Sequence, residues 1–137
     1  MRTRPVVVIT SIAVLGLAVA AHGQDAESVR VTLSPPAHLV AQSAAEVIAE
    51  IEVPPGGRPV LVTPTSEGTA VEVVRGRLLR ADADEVRPNV LRFRIPIVVR
   101  AAGTAVLRVR VLAYACERRC RAVEGDSVVI LRVDRAG

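Results

Sequence analysis

The chain has 137 residues, half of them apolar and 23% charged, with a formal net charge of +4. That length suits one ordinary domain and is short for two. Aromatic residues make up 1% of the chain, all 18 basic residues are arginine, and there are two histidines and two cysteines. A stacking platform for single-stranded RNA or sugar, a histidine-rich metal site and a Ser–His–Asp triad all lack raw material.

The first residues read as an address. Arg2 and Arg4 precede an uncharged run of 16 residues, Val6 to Ala21, and Ala21-His22-Gly23 offers small residues for cleavage before Gln24. A spanning helix needs about 20 apolar residues, so the run reads as a cleaved secretory signal over residues 1–23. No cysteine follows it to carry a lipid. The expected product is residues 24–137, periplasmic or secreted, with no stable membrane insertion. Losing Arg2 and Arg4 leaves 16 arginines against 14 carboxylates, a net +2. Those charges are interleaved rather than clustered, so the electrostatic footprint of a nucleic-acid binder is missing.

From there the chain reads as strands. Val29, Val31 and Leu33 alternate with Arg30 and Thr32; Val47, Ala49, Ile51 and Val53 alternate with Ile48, Glu50 and Glu52. Ala41–Glu50 has helix-forming residues, but the alternation running through it favours a strand. Leu91, Phe93 and Ile95 alternate with arginines, as do Leu107, Val109 and Val111, and Val128 to Val133 is apolar on both faces until Arg132. Turn signals separate these runs: Ser34-Pro35-Pro36, Pro54-Pro55-Gly56-Gly57, Ser66-Glu67-Gly68, Arg87-Pro88-Asn89, Ala101-Ala102-Gly103 and Glu124-Gly125-Asp126. About seven short strands follow from that spacing. Pro96 lies inside its own strand, which predicts an edge position or a bulge. The fold class expected is all-β: a single antiparallel immunoglobulin-like β-sandwich. Phe93 alternates inward and reads as core.

Few side chains suggest chemistry. Asp82, Asp84 and Glu85 form an acidic loop without the order of an EF-hand, and read as a solvated turn rather than a calcium site. His38, after two prolines, reads as a surface turn residue. No G-x-G-x-x-G or P-loop occurs, so no cofactor is expected, and no two carboxylates are forced together for acid–base work.

Cys116-Glu117-Arg118-Arg119-Cys120 is the one constellation left. If three residues make a tight loop, the two cysteines sit opposite each other on antiparallel strands, at a separation that a disulfide accepts. Such a bond persists in an oxidising compartment. Closing so small a ring stabilises by about 2 kcal/mol on the chain-entropy argument. Arg118, Arg119 and Arg121 favour a thiolate nearby, and Glu117 opposes it. Three readings stay open: a bond that pins a hairpin, a redox-active bond, and a metal site, the last short of companions because zinc wants four ligands. Tyr114 shares the strand face of Cys116. The two cysteines are too close in sequence for the inter-sheet bridge of antibody domains.

Several segments carry a resemblance: Glu46-Val47-Ile48-Ala49-Glu50-Ile51, Pro55-Gly56-Gly57, Leu91-Arg92-Phe93-Arg94-Ile95-Pro96-Ile97, Gly103-Thr104 and the strand into Tyr114-Ala115-Cys116 with Cys120. Together they resemble the amino-terminal periplasmic domain of the thiol:disulfide interchange protein DsbD family, from about Val31 to Val133. The resemblance implies an immunoglobulin-like sandwich whose cysteine pair, here Cys116 and Cys120, passes electrons by thiol–disulfide exchange. The implied partner is a separate membrane or thioredoxin-like electron carrier. The alternative expectation is a non-enzymatic secreted interaction domain whose disulfide is purely structural.

Overall fold

Alternation of β-branched and polar residues turns nearly every apolar run into a strand with one buried face. The computed structural model describes residues 28–137, so the expected signal segment lies outside the described residues. Nine strands occur among the described residues: β1 (Arg30–Ser34), β2 (Leu39–Val40), β3 (Ser43–Glu52), β4 (Gly57–Glu67), β5 (Val71–Val73), β6 (Glu85–Arg87), β7 (Val90–Val99), β8 (Gly103–Cys116) and β9 (Cys120–Asp134). A short 3-10 turn, Arg80–Asp82, interrupts the connection from β5 to β6.

The strands form two sheets. One has the order β1-β3-β7-β5, with β6 also paired to β7; the other has the order β2-β9-β8-β4. This is an immunoglobulin-like β-sandwich in which the first strand changes sheets, β1 pairing with β3 and β2 with β9. Every named pair is antiparallel except β2 with β9, which is parallel.

Inner faces follow the alternation. On β8 the odd positions Ala105 to Ala115 are buried and the even ones point outward. Val47, Ala49 and Ile51 of β3 meet Phe93, Ile95 and Ile97 of β7 in the same core. Phe93 is fully buried and stands opposite Ala49, so a large side chain is matched to a small neighbour.

Three expectations need correction. Pro96 is not on an edge strand, because β7 is flanked by β3 on one side and by β5 and β6 on the other. Its carbonyl accepts from Val74 N–H, so its N–H side faces the gap where β5 has ended and β6 has not begun; a central strand tolerates proline where no ladder bond is lost. Glu124-Gly125-Asp126 is not a turn but lies inside β9. A Cβ on Gly125 would collide with the Val29 carbonyl oxygen, so the glycine marks a close backbone approach rather than a chain reversal. Nor are there about seven short strands: nine occur among the described residues, and the last two are long, 14 and 15 residues, with β9 beginning at Cys120.

Candidate functional site

The β8–β9 ladder runs in unbroken register from Gly103 opposite Val133 to Cys116 opposite Cys120. Both cysteines occupy the final rung and are joined by a disulfide, with Cα atoms 4.1 Å apart and only Glu117, Arg118 and Arg119 between them. The Cys116 N–H donates away from β9, to the Gly56 carbonyl at 3.3 Å. In an antiparallel ladder this makes Cys116–Cys120 a non-hydrogen-bonded pair, the kind whose side chains approach most closely.

Gly56 belongs to a turn that its sequence dictates. Pro54-Pro55-Gly56-Gly57 has Gly57 N–H donating to the Pro54 carbonyl at 2.7 Å, with Gly56 at φ +75°. Proline at the second position and glycine at the third suit a type II turn. A Cβ on Gly56 would lie 2.6 Å from the Cys116 carbonyl oxygen. The turn from β3 to β4 is therefore seated directly on the disulfide-bearing end of β8.

An open cleft of about 1070 Å³ lies at this end of the sandwich. Val53, Val86 and Leu91 supply apolar lining, and Tyr114, Cys116 and Cys120 line it from the second sheet. Arg58 of β4, Arg80 of the 3-10 turn and Arg87 of β6 reach the same cleft, which no carboxylate lines among the described residues. Arg87 is neutralised from outside, by Glu85 at 3.3 Å and Glu50 at 3.7 Å. Arg58 and Arg80 have no carboxylate within salt-bridge distance among the described residues. On the other side of the cysteine loop, Arg118, Arg119 and Arg121 line a second recess with Pro54, Pro55, Ala115 and Glu117.

No protein-family model and no curated protein sequence matches the chain. Among solved structures it is similar to the cohesin module from a family 33 glycoside hydrolase of Clostridium perfringens, at 14% identity and a TM-score of 0.47, covering 80% of this chain and 99% of that one. It is also similar to murine CRIg, at 15% identity and a TM-score of 0.42, covering 77% of this chain and 98% of that one.

The other residues singled out by sequence fall elsewhere. Tyr114 lies two residues before Cys116 on the same outward face, between Arg58 and Ala122 on the flanking strands. His38 is exposed beside β2, which pairs with Val133 at the far end of β9 from Cys120; at about 3.3 Å per residue that is roughly 40 Å away. Among the described residues no group of three or more His, Cys, Asp or Glu side chains is arranged to hold a metal ion. The acidic loop is held by arginines. Asp84 takes Arg94 Nε at 3.1 Å, and Asp82 accepts from Leu79 N–H at 2.8 Å and from Arg75 at 3.1 Å. The Leu79 amide, with Arg75 adding to it, lowers the Asp82 carboxyl below the ordinary aspartate range.

The cleft arginines are what the sequence concealed. Arg58, Arg80 and Arg87 come from three separate elements, the last two flanking the acidic loop. Only the pairing of β6 with β7 and the seating of the Pro-Pro-Gly-Gly turn on β8 bring them to one opening. The available signal was weak: a turn rich in proline and glycine followed at once by an arginine.

Proposed function

We propose that the chain is an exported, non-enzymatic interaction module in which the Cys116–Cys120 bond is structural, shaping the tip of the β8–β9 hairpin and framing a binding cleft. The supporting observation is the unbroken register of that hairpin. The disulfide adds a covalent rung to a ladder already complete up to it, and ties no distant strands. Its contribution on the chain-entropy argument is about 2 kcal/mol, against about 4.7 for a loop of 100 residues. Export fits a bond that an oxidising compartment preserves.

The test is the reduction potential of the purified mature chain. A structural bond has a potential below about −300 mV, and that is the expected result. A value near −180 to −230 mV would overturn this reading in favour of exchange.

One observation favours exchange as a second reading: both cysteines are exposed and border a cleft that a partner could enter. It also accords with the resemblance to the DsbD amino-terminal domain. A thiolate of a partner dithiol would attack one sulfur, breaking the S–S bond, forming a mixed disulfide and releasing the other sulfur as thiolate. The partner's second thiolate would then attack the partner sulfur of the mixed disulfide and expel the bound cysteine of this chain as thiolate, leaving the partner oxidised and the Cys116–Cys120 pair reduced by two electrons.

A further inference from the structure

The cleft carries cationic groups that the protein itself does not neutralise. Arg87 has Glu85 and Glu50, whereas Arg58 and Arg80 have no acidic partner among the described residues. The same cleft is lined by two exposed apolar side chains, Val86, 52% exposed although it pairs with the buried Leu91, and Tyr114. Exposed apolar surface and unpaired guanidinium groups in one cleft fit one kind of occupant better than others.

We propose that this cleft is a peptide-binding site for an acidic segment of a partner protein. Its carboxylates are taken by Arg58 and Arg80, and one apolar side chain between them is seated on Val86 and Tyr114. The assignment rests on the interaction-module reading and names its ligand.

The chemistry argues as follows. A guanidinium presents a planar fork of donors that matches a carboxylate in two parallel hydrogen bonds. A bare inorganic anion would satisfy the arginines and leave the apolar surface wet, gaining nothing from it. A nucleic-acid strand would want a row of stacking faces, and Tyr114 is the one aromatic residue lining the cleft. An extended acidic chain uses both features, and the open mouth lets it pass through. Arg118 and Arg119 around the neighbouring recess add to the positive field at this pole, which speeds the encounter with an acidic surface.

The experiment is a fluorescence anisotropy titration with a labelled oligoglutamate peptide carrying a central leucine. The expected result is saturable binding that weakens about tenfold or more in the Arg58→Glu/Arg80→Glu variant, a change of about 1.4 kcal/mol or more. Arg132→Glu, far along β9, should leave the affinity unchanged, and a serine in place of the peptide's leucine should weaken it several-fold. The melting temperature of each variant is read beside its affinity, and Arg58→Ala/Arg80→Ala replaces the reversal if that variant does not fold. Affinity unmoved by the cleft variants, or moved equally by Arg132→Glu, would overturn the proposal. So would loss of the leucine dependence together with full displacement by inorganic sulfate, or tighter binding of oligothymidylate. The reduction potential is measured without peptide. A structural potential with no peptide binding therefore sinks this ligand alone, and an exchange potential sinks the reading beneath it.

Discussion

The two outer faces of the sandwich solve the same problem in opposite ways. On the β1-β3-β7 face, outward positions carry opposite charges that meet: Arg30 with Glu52, Arg87 with Glu50 and Glu85, Arg94 with Glu46 and Asp84, Arg92 with Asp84. On the β9-β8-β4 face the outward positions include Val128, Ile130 and Tyr114, the isoleucine 64% exposed, and Arg108 pairs with Asp126 only at 3.9 Å. Arg108 Nε is buried there without a hydrogen-bond partner. Strand alternation decides which residues point outward; it does not decide whether they satisfy one another. The first face is closed on itself, and the second leaves apolar and cationic groups available.

The second sheet is held by backbone proximity and a covalent rung, which sets the largest expected effect. Gly125→Ala would press a Cβ into the carbonyl of Val29, a rigid backbone group, where β1 begins to cross toward the other sheet. Overpacking of that kind costs about 1–3 kcal/mol, and the upper end is expected here. Urea unfolding should record a lower midpoint with an unchanged slope. A midpoint equal to that of the parent would mean that β1 yields freely and that the sheets are less tightly joined than this contact implies. Next comes Cys116→Ser/Cys120→Ser, expected to lower stability by about 2 kcal/mol in the same measurement while the sandwich still forms. Complete failure to fold would give the bond a larger part than pinning one hairpin.

Charge pairing on the first face gives a smaller and salt-dependent effect. Arg94 lies 3.1 Å from Asp84 and 3.8 Å from Glu46, with its side chain half exposed. Arg94→Ala should cost up to about 1 kcal/mol at low ionic strength, and less at 1 M salt, where the Debye length falls to about 3 Å. Arg110→Ala, on the second face and without an ion pair among the described residues, should cost close to nothing at either salt concentration. Equal losses for the two would erase the distinction between the faces.

Much of this was legible in the chain. Val47, Ala49, Ile51, Phe93 and Ile95 fall on the buried side that their period-two spacing predicts, and Ser43–Glu52 is a strand although alanine and glutamate favour helix, because a repeating apolar face outweighs propensity. The Cys116–Cys120 pairing was legible for the same reason, since a three-residue loop between two alternating runs puts its ends opposite each other. Pro96 and Gly125 misled because each has a local meaning and a tertiary one. A proline disfavours a central strand only if its N–H side has a neighbour. A glycine marks a turn only if the chain reverses there. The cleft arginines were hidden for a third reason: the field at a site is assembled by topology, and Arg58, Arg80 and Arg87 have no shared sequence signature.

The smallest expected effect lies in the connection between β5 and β6, where Asp82 closes the 3-10 turn by accepting the Leu79 N–H and also holds Arg75. Its carboxyl titrates below the ordinary aspartate range, with the Leu79 hydrogen bond as the largest cause. A carboxyl whose folded value is depressed binds its proton more readily in the unfolded chain, near pH 3.9. Its contribution is therefore complete above that value and is lost as the pH falls through the lower folded one. Asp82→Asn, which keeps the shape and removes the charge, should lower the urea midpoint slightly at neutral pH and leave it unchanged in strong acid, so that this part of the acid-side decline flattens. Because Asp82 is still reached by solvent, the flattening should be slight. A decline of the same steepness in both proteins would mean that the Leu79 contact forms equally well with a neutral side chain, and that the acid sensitivity belongs to the charge ladder of the first face instead.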